Sequence, residues 1–145
     1  TPSNGKGNLA VQIIRSKTRL IPEIHNGKWR MTVRVDTFDD IVENHTDLDL
    51  DDPRVITALE KDLEKEITQL IRQTVQKVQK ELKTDCLGFA DAFYRKFPAQ
   101  WRQAKEKWET MFPEIKVDIQ VTAKIKRYGL ATHSQGIPKA EESKK

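Results

Sequence analysis

Few side chains in this 145-residue chain combine a reactive type with a useful spacing. The most suggestive run is Asp47-Leu48-Asp49-Leu50-Asp51-Asp52, which opens like a calcium loop. Such a loop needs glycine at its sixth position and a bidentate glutamate at its twelfth. Those positions hold Asp52 and Ala58, so the acidity reads as the start of a helix. His25, His45 and His133 fall in a turn, an acidic stretch and a tail, with no pair at ligand spacing and no cysteine nearby. His45 near Asp47 offers a weak metal contact at most, and solvent-exposed histidines are expected. Cys86 is the single cysteine, which excludes an internal disulfide framework and a cysteine zinc cluster. A reactive thiolate wants an electropositive, accessible setting. Cys86 follows Asp85 at the start of an apolar helix, so a packed cysteine is expected. Ser3, Ser16, Ser134 and Ser143 sit in no nucleophile elbow, and neither a phosphate loop nor a dinucleotide fingerprint is present. No catalytic residue, metal ligand or cofactor site is therefore expected.

Aromatics raise one more possibility. Trp101 and Trp108 are seven residues apart, hence on one helical face, and with Phe93, Tyr94 and Phe97 they could stack nucleic-acid bases. Helical spacing favours a core instead. The expected core residues are Trp101, Trp108, Phe112, Phe89 and Phe93, with Arg95, Lys96, Arg102, Lys105 and Lys107 on a solvated face.

The elements that must position these residues show in the hydrophobic period. Leu9, Val11 and Ile13 alternate with Ala10 and Gln12, after which Ile14, Leu20, Pro22 and Ile24 fall on even numbers. A slip of one residue turns side chains to the other face, which predicts a bulge or break near residues 14–17. Pro22 lacks a ladder donor and favours an edge. His25-Asn26-Gly27-Lys28 is a hairpin turn, and the return strand places Trp29, Met31, Val33 and Val35 on one face with Lys28, Arg30 and Arg34 on the other. Residues 39–52 read as an acidic connector. Asp52-Pro53 then supplies an N-cap and a first-turn proline. Ile56, Leu59, Leu63, Ile67, Leu70, Ile71, Val75, Val78 and Leu82 recur at three and four, which predicts an amphipathic helix over residues 53–83. At 1.5 Å per residue that helix is about 45 Å long. A helix over residues 87–97 and another from Pro98 to Phe112 follow. The apolar-polar alternation from Ile115 to Lys126 makes the last strand. This order predicts an α+β fold: a small antiparallel or mixed sheet of about four strands, with one long and two shorter helices packed on one face. Residues 1–8 read as a linker, 9–130 as the domain and 131–145 as a flexible tail.

Charge narrows the class further. The net charge is +4, yet residues 36–66 carry −9 while 1–35 and 67–130 each carry +6. A nucleic-acid binder would not concentrate acid this way; a domain with mixed faces for a protein partner would. No run of about 18 apolar residues exists to span a membrane. The chain starts at Thr1 and reads as a piece of a longer precursor.

Several motifs together carry a resemblance. They are Lys80-Glu81-Leu82-Lys83-Thr84-Asp85, Gly88-Phe89, Arg95-Lys96-Phe97-Pro98, Trp101, Trp108, Phe112, the strand at 117–125 and Gly129-Leu130. In this order they resemble the C-terminal domain of the Ger(x)C family, the C subunits of nutrient germinant receptors in bacterial spores. Ser16-Lys17-Thr18 through Val35, with its Asn-Gly-Lys turn, and Glu43 fit the family's opening; Cys86 stands where an apolar residue is expected. The resemblance implies a lipoprotein held by its own N-terminal cysteine on the outer face of the spore inner membrane, with anchor and upstream domains outside this fragment. It implies partners, the membrane-embedded A and B subunits, and no catalytic activity.

The expected function is thus a non-catalytic receptor-subunit domain that signals through protein–protein contact, monomeric in isolation and without affinity for nucleic acid. The alternatives are a nucleic-acid-binding module and direct binding of a small-molecule nutrient, which needs an apolar pocket with convergent polar groups. Two docking surfaces compete. One is the acidic connector, with Asp39, Asp40 and Glu43 foremost and Asp47 and Asp49 behind them. The other is the outward face of the last strand, Lys116, Gln120, Thr122, Lys124 and Lys126, joined by Arg30 and Arg34 if the strands share a sheet. Loops carry recognition more often, and the connector's charge opposes that of the remaining chain, so the connector is preferred.

Overall fold

The computed structural model describes residues 9–44 and 46–126. The expected linker and tail, His45, His133 and Gly129-Leu130 lie outside the described residues. The chain order is β1 (Leu9–His25), β2 (Lys28–Asn44), α1 (Pro53–Gln76), a π-helical segment (Lys77–Leu82), α2 (Phe89–Lys96), α3 (Pro98–Ala104), α4 (Trp108–Met111) and β3 (Lys116–Lys126). Single 3-10 turns at Lys105–Lys107 and Phe112–Glu114 interrupt the expected third helix. The class is α+β, with a sheet of three strands rather than about four, in the order β1-β2-β3.

The difference in count lies in β1, which runs unbroken through the phase slip. Leu9 is buried and Val11 partly covered at one end; at the other, Leu20, Pro22 and Ile24 are covered. Residues 12–19 between them are exposed throughout. The slip is nevertheless present inside this one strand: Leu9 and Val11 pack on the core, whereas Arg15 lies over Phe38, which alternates with the buried Thr37 and Asp39, so the side-chain phase shifts between Val11 and Arg15 without ending the strand. Asn26 (φ 52°) and Gly27 (φ 75°) make the left-handed turn into β2. Arg30, near the start of β2, pairs with Asp118, near the start of β3, at 2.7 Å. Those two strands therefore run the same way, while β1 and β2 form an antiparallel hairpin, so the sheet is mixed. A parallel pair needs a long crossover, and α1 supplies it.

Asp52 caps α1. Its carboxylate accepts the Arg54 backbone N–H at 2.9 Å, and its carbonyl accepts Val55 N–H at 3.0 Å. Farther along, Glu60 and Glu64 accept backbone N–H groups of β3: Ile125 to Glu60 at 2.9 Å and Ala123 to Glu64 at 3.0 Å. The match is metric. Four residues of helix rise about 6 Å, and two residues of strand rise about 6.6 Å. The outer edge of β3 is thereby closed with carboxylates instead of a fourth strand.

The helix ends in a π-helical segment. There Val78 and Gln79, neighbours in sequence, are both buried. Leu82, expected on the apolar stripe, is 56 % exposed, and Leu70 is 65 % exposed. Gln79 lies inside because its Nε2 donates to the carbonyls of Phe112 (2.9 Å) and Ile115 (2.8 Å), while Lys80 Nζ donates to Pro113 (2.6 Å). The π segment thus holds the turn that enters β3. Lys83 closes it in the left-handed conformation (φ 51°).

The described residues form two compact units, and every long element contributes to both. One comprises residues 9–17, 36–67 and 121–126. Its core is Leu9, Ile41, Leu50, Leu59, Leu63, Ala123 and Ile125, with Val11, Leu48, Val55, Ile56 and Ile67 against it. The other comprises Thr18–Val35 and Thr68–Gln120. It is organised by aromatics: Trp29 and Phe93 rings lie 4.5 Å apart, Phe93 and Trp108 5.8 Å, and Phe89 and Phe112 meet edge-on at 5.6 Å. Asp85 starts α2 from outside it. Its carboxylate accepts the N–H groups of Leu87, Gly88, Phe89 and Ala90 at 2.7–3.3 Å, so the helix begins at Phe89 rather than Leu87.

Candidate functional site

Asp39, Asp40 and Glu43, expected on a connector, are strand residues, while Asp47 and Asp49 do lie in a loop. β2 continues to Asn44, because Thr37, Asp39 and Ile41 alternate inward and bury, and of the described residues only 46–52 remain as a loop. Asp39 is 1 % exposed and cannot present a charge to a partner. Its Oδ2 accepts the Thr37 hydroxyl at 2.8 Å, and its Oδ1 is buried without a partner among the described residues. Burial raises its pKa above the ordinary carboxylate value; the Thr37 hydrogen bond opposes the rise and the Glu60 charge adds to it. Asp40 is half-buried, also with an Oδ1 unpartnered among the described residues. Only Glu43 is exposed. Successive strand residues point to opposite faces, so Asp39 and Asp40 diverge and the three do not form one acidic patch.

The remaining acidity is spent locally. Asp49 Oδ1 accepts the Asp51 N–H at 3.0 Å, and the Arg54 side chain and N–H hold the Asp52 carboxyl below its ordinary pKa. Among the described residues, no three His, Cys, Asp or Glu side chains gather as a metal site. Cys86 is exposed rather than packed, since the Asp85 cap places it ahead of α2 and outside the aromatic cluster. His25 is exposed in the hairpin turn.

Phe89, Phe93 and Phe112 are buried to 1 % exposure or less, and Trp108 to 8 %. Trp101, expected in the core, is only half-buried: it meets Trp108 edge-on at 5.1 Å and covers it from outside. No described helix is long and apolar enough to cross a membrane.

The sheet face away from α1 is the more promising surface. In the first unit, an open groove of about 710 Å³ crosses all three strands. Arg15 and Lys17 of β1, Asp36 and Phe38 of β2, and Thr122 and Lys124 of β3 line it. The Arg15 guanidinium lies 4.6 Å from the Phe38 ring centroid, a cation–π contact that holds a charge over an aromatic floor. Arg15 and Lys17 escaped attention in the sequence, although their spacing of two on an exposed strand was the available signal. Glu60 and Glu64 escaped it as well; the signal there was an i,i+4 carboxylate pair on a helix that crosses over to a strand.

Comparison with known proteins decides the family. The family described as Spore germination B3/GerAC like, C-terminal, matches residues 1–129. The chain belongs to this family. Among Bacillus subtilis (strain 168) relatives of this GerAC-like domain, spore germination protein KC is 36 % identical over 126 residues, 86 % of this chain and 31 % of that protein. Spore germination protein B3 is 28 % identical over 130 residues, 88 % of this chain and 35 % of that protein. The chain thus spans about a third of the length of these relatives. The crystal structure of the GerBC protein aligns with a TM-score of 0.70 at 25 % identity, covering 81 % of this GerAC-like chain and 40 % of that one.

Proposed function

We propose that this GerAC-like domain is the C-terminal part of a germinant-receptor C subunit, and that it works without catalysis by docking to partner subunits. The match of the family model over residues 1–129 carries this proposal. In the full-length protein, an N-terminal lipid anchor holds the subunit on the outer face of the spore inner membrane, and the membrane-embedded A and B subunits are the partners. The groove on the open sheet face supports a docking role, because Lys17 and Lys124 stand in it without an ion pair among the described residues and Arg15 is held in place by Phe38. Glu43, exposed at the end of β2, is the remaining acidic candidate from the connector. The test is co-purification of this chain with the soluble regions of the A and B subunits. Retention of the chain by either region is the expected result. Passage of both regions over the immobilised chain without retention would remove the proposal.

A further inference from the structure

The two edges of the sheet are not equivalent. β3 faces outward with its Ala123 and Ile125 N–H groups taken by Glu64 and Glu60. β1 has one strand neighbour among the described residues, and its residues 12–17 are exposed. An edge of this kind is a template for another strand unless it is blocked. Ile13 is 52 % and Ile14 57 % exposed, an unusual placement for two isoleucines on an edge. Six residues are also enough to seat an added strand, since strands of about five or six residues are the commonest length.

Chemistry on this edge selects the occupant. Arg15 and Lys17 share one face, roughly 6.8 Å apart along the strand, and Ile14 lies on the other. The Lys17 side chain makes no ion pair or hydrogen bond among the described residues, and the Arg15 side chain is occupied only by Phe38. A second copy of this chain is disfavoured. Antiparallel pairing of β1 with itself centred on Arg15 sets the two Arg15 side chains opposite each other, and centred on Ser16 it sets Arg15 opposite Lys17; like charges directly opposite destabilise a sheet. A strand with carboxylates on one face fits instead.

We propose that the exposed edge of β1 over residues 12–17 receives an extended acidic segment of a protein partner, which joins the sheet as a fourth strand with carboxylates beside Arg15 and Lys17 and an apolar residue beside Ile14. This deepens the docking role proposed above and rests on it for the identity of the partner, although not for the existence of the site. Main-chain hydrogen bonds to the edge supply the affinity, and the alternating side chains supply the selectivity.

Two arms test this. In the first, an alternating Glu-Val nonapeptide and an isomer with its Glu and Val residues in separate blocks are titrated into the chain, with amide hydrogen exchange followed for residues 12–17. The alternating peptide binds, slows exchange of outward-facing β1 amides and prevails over the blocked isomer. R15E/K17E weakens it by about tenfold or more, as expected when two attractive charges become repulsive; R15K/K17R restores binding. Binding without protection of these amides, equal binding of the isomer, or no binding overturns the proposal. Dimerisation of the chain that itself protects residues 12–17 overturns it in favour of a second copy. In the second arm, wild type and R15E/K17E are compared for retention of the A and B soluble regions, with circular dichroism confirming the fold. Loss in the variant supports the site. Equal retention with residues 12–17 unprotected overturns the edge proposal while the docking role stands. If wild type retains neither region, the docking role falls and the peptide arm alone decides the edge.

Discussion

Asp39 is the residue whose surroundings contradict its type. An aspartate ionises in the unfolded chain near its ordinary value of 3.8, whereas burial raises the value in the fold. The folded state then binds the proton more tightly, so ionised Asp39 opposes folding. That penalty is absent below the ordinary value, grows as pH rises through the raised one and is complete above it. Asp39→Asn should melt above wild type at pH 7, and the margin should close as the pH falls toward 4. A margin that is constant with pH, measured by calorimetry, would show that charge is not the cause. Gln79 is the opposite case, a buried polar group with both amide protons placed on carbonyls. Gln79→Ala leaves two buried acceptors and a cavity, and should cost about 2–3 kcal/mol in urea unfolding. A cost below half a kilocalorie would mean that the turn into β3 holds without it.

At the scale of elements, the pairing of α1 with β3 is the feature most open to test. Glu60 and Glu64 each accept a backbone N–H from a strand edge. Removing one carboxylate leaves a part-buried donor unsatisfied. Glu60→Ala and Glu64→Ala should each cost about 1–2 kcal/mol, and exchange at Ala123 or Ile125 should quicken at the matching amide alone. Uniform loss of protection along β3 would assign the glutamates a general role rather than an edge-closing one. At Lys83 the left-handed backbone disfavours a side chain. Lys83→Gly should therefore stabilise the chain by about 0.5–1 kcal/mol, read as a rise in the urea midpoint.

For the whole molecule, the two tryptophans separate core from cover. Trp108 contacts Phe93, Trp29, Trp101 and Phe112, with centroids 5.1–6.2 Å away. Trp101 touches the cluster through Trp108 and stays half-exposed. Trp108→Ala should cost about 3–5 kcal/mol, and Trp101→Ala clearly less. Equal losses in thermal melts would return Trp101 to the core.

Local signals were sufficient wherever one short-range cause acts. Asn26-Gly27 predicted the turn because only residues tolerant of positive φ close a two-residue hairpin. Asp52-Pro53 predicted the start of α1 because a carboxylate and a missing donor both suit a helix N-terminus. Strict alternation from Ile115 onward predicted β3. The motifs from Lys80 to Phe112 pointed to the family that the comparison identifies. The candidate site was far less legible. The acidity of residues 36–66 was visible, but strand and loop are separated there by whether Asp39 and Ile41 find a covering core, and that core is assembled from Leu9, Leu59 and Ala123, distant in sequence. The inward turn of Gln79 depends on carbonyls 33 and 36 residues away. Which sheet edge is closed depends on a helix meeting a strand some 60 residues later. Local backbone chemistry acts over a few residues and can be read along the chain; burial and edge pairing are set by partners that only the tertiary fold brings within reach.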